Sequence, residues 1–197
     1  MPKRNARLLI GERSPFGADS NHPTPACERK RCGRLKSLPE GHGPATIYFE
    51  RTSVIPLGAE ETFDLEIDID THLGSMAESG ERAIEGVTSG IIDLGETVTW
   101  RARHLGVTWT MTTLISEMDR PHRFVDRQQR GPFKEFVHEH LFVPVEGGTR
   151  VTDHVRFTAP LGPLGWIAEQ LVLKHYMPKL IDARNEFMMA EATQRGQ

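Results

Sequence analysis

The chain has 197 residues and a formal net charge of -3, which fits one domain plus an extension and gives no whole-chain signal for nucleic-acid binding. Hydrophobic residues make up 38% and charged residues 26%, as in ordinary soluble proteins, and no apolar run approaches the roughly 18 residues that a membrane span needs. Two cysteines are too few for a disulfide scaffold, and the first apolar stretch is too short for a signal-peptide core. We therefore expect a cytoplasmic protein with no membrane span.

Residues 1–44 differ in composition from the rest of the chain. They are basic, rich in Pro and Gly and without periodicity, which is typical of a disordered extension. Their basic run suggests contact with nucleic acid or an acidic surface, and Cys27, Cys32, His22 and His42 are candidate zinc ligands. The C-x4-C spacing with distant histidines matches known zinc sites poorly. An extension without its own function, or a misplaced translation start, is the simpler interpretation, and we predict no specific nucleic-acid partner.

The ordered part begins at residue 45 with a strand followed by short helices. Polar and apolar residues alternate after Ala45, and Pro56-Leu57-Gly58 then turns the chain into an acidic helix with Phe63 and Leu65 facing inward. We predict a strand over 46–55, a helix over 59–69, a second short helix or turn over 70–76 and a brief strand over 81–85.

The hairpin around Leu105-Gly106 has the clearest pattern of the chain. Counting outward from this turn places Ala102 opposite Trp109 and Trp100 opposite Met111. One face is then mostly apolar and the other carries threonines and arginines, as expected of a sheet with one solvated face. The apolar face comprises Trp100, Ala102, His104, Trp109 and Met111.

A second hairpin is predicted around Gly147-Gly148. The count outward pairs Phe142 with Asp153, His140 with Val155 and His138 with Phe157, and it sets Glu139 against Arg156 on the other face, a favourable pair of charges. Another strand, over 124–129, lies between the two hairpins. Its register is ambiguous, so the sequence leaves open whether Asp126 and Gln128 point inward.

The C-terminal region predicts an amphipathic helix of roughly thirty residues, long enough to cross a small domain. Pro178 predicts a kink near its middle. Its apolar stripe comprises Leu164, Ala168, Leu171, His175, Leu180, Ala183 and Phe187, with the charged residues, among them Arg184, between them. The fold class is α+β: a curved antiparallel sheet of about seven strands, two short helices after the first strand, and a long C-terminal helix over the apolar face.

This arrangement resembles the START-like helix-grip (SRPBCC) superfamily, which includes pollen allergens, polyketide cyclases and coenzyme-Q-binding proteins. More narrowly, it is similar to small bacterial cyclase/dehydrase-like members. The resemblance covers about residues 45–192 and is carried by FDLEIDIDTHLGSMAESGERA, LGETVTWRARHLGVTWTMTTLI, FVDRQQRGPFKEFVHEHLF and TDHVRFTAPLGPLG. It implies a ligand-binding domain over 45–195, with a cavity between sheet and helix for a hydrophobic or amphipathic small molecule. No nucleotide, flavin or haem motif is present, so we expect no cofactor.

Titratable residues on the apolar face are the candidates for chemistry. His140 and Asp153 form an acid–base pair if the protein is an enzyme, a polar ligand anchor if it is a binder, or a self-satisfied structural pair. The predicted ligand-binding residues are Trp100, His104, Trp109, Met111, His138, His140, Asp153 and Phe157.

Two other motifs receive less weight. His138-Glu-His140 suggests a metal site, but no third ligand is evident, although His104 or Asp153 would be available, and we predict no metal. The set Asp70, His72, Ser75 resembles a catalytic triad but lacks a nucleophile elbow.

The leading hypothesis is a ligand-binding protein. The alternatives are a cyclase, aromatase or dehydratase for polyketide-like substrates, and an interaction protein whose basic arm recruits a partner or an anionic surface. The interaction hypothesis predicts that deletion of residues 1–42 changes partners and localisation.

Overall fold

The computed structural model describes residues 46–159 and 173–195. The predicted basic extension with its candidate zinc ligands lies outside the described residues, as do Leu164, Ala168 and Leu171 of the predicted final helix. In chain order the elements are β1 (Thr46–Ile55), α1 (Ala59–Glu66), α2 (Ile69–Ser75), a 3-10 turn (Ala77–Ser79), β2 (Arg82–Gly86), β3 (Thr97–His104), β4 (Val107–Asp119), β5 (Arg123–Arg130), β6 (Glu135–Val145), β7 (Gly148–Thr158) and α3 (Lys174–Arg195).

The strands form one seven-stranded antiparallel sheet in the order β1-β7-β6-β5-β4-β3-β2. From β2 to β7, each strand pairs with the next strand in the chain. The first strand, β1, pairs with β7 at one edge of the sheet, and β2 lies at the other edge. The helices pack on one face, which confirms the predicted α+β architecture. In the described part of the chain, no helix has the length and apolar character to cross a membrane.

The first turns of the two short helices carry residues that stabilise a helix start. Glu60 and Glu61 lie in the first turn of α1, where acidic side chains interact favourably with the positive end of the helix dipole. The side chain of Asp68 caps α2 by accepting the Asp70 N–H at 3.1 Å. Phe63 and Leu65 are fully buried, as predicted, and hold α1 against the sheet.

The β3–β4 hairpin has the predicted register. Ala102 pairs with Trp109 and Trp100 with Met111. Leu105 and Gly106 both have positive φ, 52° and 81°, which is the backbone of a tight turn that matches strand twist. The residues of the turn therefore determine the register of this hairpin.

The predicted register of the β6–β7 hairpin is wrong by two residues. His140 pairs with Asp153, His138 with Val155, and Glu139 with His154. The reason is the turn: Val145 pairs with Gly148, so the loop is Glu146-Gly147 and Gly148 already belongs to β7. A shift of two residues keeps each side chain on its predicted face but changes its partner.

The buried face of α3 also differs from the predicted stripe. His175 and Ala183 are exposed, whereas Arg184, which was placed on the polar side, is 3% exposed. Helix α3 runs through Pro178. Its buried side chains are Met177, Ile181, Arg184, Asn185, Met188 and Ala192.

The core has two hydrophobic clusters on the inner face of the sheet. The larger contains Phe63, whose ring lies 5.1 Å from Phe142 and 5.5 Å from Phe124 between centroids, and extends to Met188 of α3. The smaller comprises Phe136, Val155, Phe157, Met177 and Ile181. Each such buried side chain contributes roughly 1.5–3 kcal/mol by leaving water.

Candidate functional site

A cavity of about 180 Å³ lies between the inner face of the sheet and the helices. Its wall is mostly apolar, with Met111, Ile115 and Phe124 from the sheet and Met177 from α3. The predicted ligand-binding residues that line it are Trp100, His104, Trp109, Met111, His138 and His140. Asp153 and Phe157 are fully buried and do not line it. The two lie behind the wall, Asp153 against the histidines and Phe157 in the smaller cluster.

Charged side chains converge at one end of this cavity, which we call the polar cluster. Strands β5, β6 and β7 present their inward residues there, and α1 and α3 each add one charged side chain from the opposite side. The members are Glu66, Asp126, His138, His140, Asp153 and Arg184.

Asp153 is the centre of the polar cluster. Its Oδ1 lies 2.9 Å from His138 Nε2 and 3.1 Å from His140 Nδ1, and its Oδ2 accepts a hydrogen bond of 2.8 Å from Asn185. Burial raises the pKa of this carboxyl, but hydrogen bonds and charge interactions with the two histidines hold it well below its usual range. Asp153 is therefore a buried, ionised acceptor.

Each of the two histidines lies between the same two carboxylates, those of Asp153 and Asp126. His138 Nδ1 lies 3.8 Å and His140 Nε2 3.4 Å from Asp126 Oδ2, on the side away from Asp153. Burial and the neighbouring His140 lower the pKa of His138. Burial also acts to lower the pKa of His140, but interactions with Asp126 and Asp153 outweigh it and the net shift is upward. The sheet thus places two imidazoles of unequal basicity side by side.

Arg184 and Glu66 form a buried ion pair beside the histidines. The guanidinium donates from Nη2 to Glu66 Oε2, and its Nη1 lies 3.8 Å from Asp153 Oδ1. Burial acts to lower the pKa of Arg184, but Glu66 and Asp153 raise it overall, so the guanidinium stays charged. A buried pair of this kind is tolerated only when both charges are compensated.

Several polar atoms of the polar cluster have no well-aligned hydrogen-bond partner within the described residues. They are Glu66 Oε1, His140 Nδ1 and Arg184 Nη1, and Asn185 Oδ1 beside them shares this property. The first three belong to residues on the cavity wall. Unpaired buried polar atoms are uncommon in folded proteins, because each costs about 1–3 kcal/mol. They are grouped where the charged side chains of the polar cluster converge on the cavity.

The other end of the cavity has a separate polar contact. His104 Nδ1 lies 2.8 Å from the hydroxyl of Tyr176, which connects the β3–β4 hairpin to α3. The indole of Trp109 donates to the His104 carbonyl at 3.2 Å. Burial lowers the pKa of His104. This contact joins two elements of the cavity wall.

The triad-like set does not assemble. His72 Nε2 contacts Glu81 at 2.7 Å, Ser75 donates to the His72 carbonyl at 2.7 Å, and Asp70 accepts from Gly90 N–H at 2.9 Å. Each of the three side chains has its own structural partner.

The sequence did not identify Glu66, Arg184, Asn185 or Tyr176 as site residues, and it left Asp126 open. Charged residues are normally assigned to the solvent side of a helix, so nothing local distinguishes Glu66 or Arg184. The spacing of Met177, Ile181 and Met188 carries the signal, because it places position 184 on the same face.

Comparison with known proteins supports this architecture. The family model described as polyketide cyclase / dehydrase and lipid transport matches residues 46–192. The Zhui aromatase/cyclase from Streptomyces sp. R1128 is 16% identical with a TM-score of 0.61, over 78% of this chain and 97% of that one. TTHA0849 from Thermus thermophilus is 19% identical with a TM-score of 0.57, over 75% and 99%. Ginseng major latex-like protein 151 from Panax ginseng is 13% identical with a TM-score of 0.53, over 75% and 97%. No curated protein shows a significant match.

These likenesses confirm the helix-grip fold predicted from the sequence. At such low identities they carry the fold and not the activity.

Proposed function

The chain belongs to the polyketide cyclase / dehydrase and lipid transport family, and we propose that its cavity binds a small hydrophobic molecule that carries oxygen groups at one end. The observation that carries this proposal is a pair of buried polar atoms without an aligned hydrogen-bond partner among the described residues, Glu66 Oε1 and Arg184 Nη1, on a mostly apolar wall. Pockets for small molecules generally combine apolar walls with a few convergent polar groups.

The chemistry of these atoms indicates the ligand's polar groups. Arg184 Nη1 can donate only, so it suits a carbonyl, phenolate or carboxylate oxygen, whereas Glu66 Oε1 accepts and suits a hydroxyl. The volume of about 180 Å³ exceeds the roughly 150 Å³ of an engineered apolar cavity, in an unrelated protein, that binds benzene. A ring compound with hydroxyl and carbonyl substituents therefore fits both the size and the polarity of the cavity.

Native mass spectrometry of the full chain tests the binding role. Protein purified gently from its own cells is expected to carry a stoichiometric extra mass that is lost on denaturation, and a hydroxylated aromatic ketone added to ligand-free protein should restore such a mass. The variant Met111→Trp fills the cavity and should abolish it, while Val107→Trp, at an exposed position of the same strand, should not. Retention of the ligand by Met111→Trp, or its absence from the parent under both conditions, would contradict the proposal.

A second candidate is an enzyme that cyclises, aromatises or dehydrates a polyketide-like substrate. The contact between Asp153 and His140 favours it, because a buried carboxylate that orients an imidazole is a common acid–base arrangement, and His140 reaches the cavity. His140→Gln and Asp153→Asn should then abolish turnover of a true substrate in variants that circular dichroism shows to be folded. Unchanged turnover in these variants would exclude this pair as the acid–base machinery.

A further inference from the structure

We propose that Asp126, His138 and His140 form a binding site for a divalent transition-metal ion at the polar end of the cavity. The donor atoms of these three side chains all lie within 4.8 Å of one another. The sequence indicated the two histidines, on one face of β6, with His104 or Asp153 as the available third ligand. The fold supplies the third ligand, because Asp126 of β5 pairs directly with His138.

The distances from Asp126 to the two histidines are close to those between the ligands of a metal ion. Asp126 Oδ2 lies 3.4 Å from His140 Nε2 and 3.8 Å from His138 Nδ1. Ligand atoms around a tetrahedral zinc ion with bonds of about 2.0–2.1 Å are separated by roughly 3.3 Å. The two separations that involve Asp126 are therefore within about half an ångström of those in a tetrahedral zinc site.

The second nitrogen of each imidazole already faces another carboxylate. His138 Nε2 and His140 Nδ1 lie 2.9 Å and 3.1 Å from the same oxygen, Asp153 Oδ1. Histidines that bind metals usually donate their other N–H to a carboxylate, which orients the ring and raises its basicity. Asp153 thus orients His138 through a hydrogen bond and lies against His140 without an aligned one, and the two histidines direct their remaining nitrogens toward Asp126.

Charge balance gives an independent reason. The polar cluster contains three carboxylates, Glu66, Asp126 and Asp153, against one guanidinium, which donates to Glu66 and not to Asp126. The three carboxylates outnumber this permanent cation by two, and buried negative charges are costly unless they are compensated. A divalent cation bound to Asp126 would supply the missing positive charge in place of protons on the histidines.

The ligand set favours a particular class of ion. Two imidazoles and one carboxylate bind Zn²⁺ and Fe²⁺ with open positions, and the hard ions Mg²⁺ and Ca²⁺ prefer oxygen ligands. All three residues line the cavity, so an oxygen of a molecule in the cavity can take the next coordination position. The inference does not depend on the proposed function, because the ion alone can be titrated into ligand-free protein.

Calorimetric titration of the full chain with Zn²⁺ tests the site, with cobalt absorption spectra as a second measurement. A Cys27→Ser/Cys32→Ser parent removes thiol ligands outside the described residues. This parent is expected to bind one equivalent and to give ligand-field bands with Co²⁺. Asp126→Asn should weaken binding at least about 100-fold, and Asp153→Asn about 10–100-fold as an orienting residue. His154→Gln, which changes a histidine on the outer face of the same hairpin, should bind as the parent does.

Folding controls keep this test decisive. Circular dichroism and melting without metal identify any variant that fails to fold, and His138→Gln then replaces Asp126→Asn as the diagnostic change. The metal site would be overturned if the parent did not bind Zn²⁺. It would also be overturned if folded Asp126→Asn and His138→Gln bound Zn²⁺ as tightly as the parent does. Either result leaves the organic-ligand proposal to its own mass-spectrometric test.

Discussion

The β3–β4 and β6–β7 hairpins face the same cavity on either side of β5, yet they are built differently. The inner face of β3–β4 carries Trp100, Ala102 and Met111, and its stability comes from side chains within the hairpin and the apolar core. The inner face of β6–β7 carries His138 and charged partners that are compensated by one another, by Asp126 of β5 and by Arg184 of α3, which is distant in sequence. Apolar packing can adjust to a substitution at a modest cost in stability. A buried charge, in contrast, strongly destabilises the fold when one of its partners is removed. Single substitutions should therefore affect the two hairpins very differently.

The largest effect is expected from Arg184→Met. This change keeps an apolar stem of similar length but leaves Glu66 and Asp153 buried without their cation. Removing one partner of a buried ion pair typically costs about 3–5 kcal/mol. Urea unfolding followed by circular dichroism should show this loss in the free energy of unfolding.

The matched control lies in the same helix. Arg195 is exposed and pairs with Glu191 one turn away, so Arg195→Met should cost no more than about 0.5 kcal/mol. The double variant Arg184→Met/Glu66→Gln should recover part of the loss, because one uncompensated charge is removed. Equal losses of stability in Arg184→Met and Arg195→Met would mean that the buried ion pair of Arg184 does not stabilise the polar cluster.

A smaller effect is expected from Trp100→Phe in the apolar hairpin. The indole donates to Thr113 Oγ1 at 3.2 Å, and both side chains are buried. Loss of the donor and of part of the ring should cost about 1–3 kcal/mol, and Thr113→Val, which leaves the indole N–H unpaired, a similar amount. The double variant should cost less than the sum in the same unfolding assay. Additive losses would show that this hydrogen bond carries no energy.

The same contrast explains which features the sequence predicted. Strand positions, the inner and outer faces, and the β3–β4 register follow from alternation and from a turn at Leu105-Gly106 that fits only one way. The β6–β7 register did not follow, because two consecutive glycines left two positions for the turn. Only the sheet as a whole, in which Val145 pairs with Gly148, selects between them.

The polar cluster was only partly predictable. His138, His140 and Asp153 stood out as titratable residues on an apolar face. Glu66 and Arg184 did not, because each is acceptable in a buried position only through the other, and they are 118 residues apart. Sequence patterns describe local periodicity, and compensation of a buried charge is a property of the folded chain.

A pH-dependent effect is expected at the His104 end of the cavity. Burial lowers the pKa of His104 from its ordinary value of 6.5, while nearby Glu81 opposes this shift and the Tyr176 hydroxyl contacts the ring. The unfolded state therefore binds more protons below pH 6.5, and stability should fall as the pH drops from about 7 to about 5. Unfolding at both pH values should show a smaller fall for His104→Asn. An equal fall in both proteins would remove His104 as the cause.

The smallest effect distinguishes the two registers of the polar hairpin. In the observed register Arg156 Nη2 contacts Glu135 at 2.9 Å, whereas the sequence had paired Arg156 with Glu139, which instead contacts Arg123 and His154. Both members of the Arg156–Glu135 pair are about half exposed, so Arg156→Gln should cost at most about 1 kcal/mol, and less in high salt.

Double-mutant cycles should give a measurable coupling of Arg156→Gln with Glu135→Gln. The coupling with Glu139→Gln should be zero within about 0.3–0.5 kcal/mol. A stronger coupling to Glu139 would restore the register with Gly147-Gly148 at the turn and would separate His140 from Asp153. Because so weak a pair cannot set a register, the observed pairing must come from the buried contacts on the opposite face.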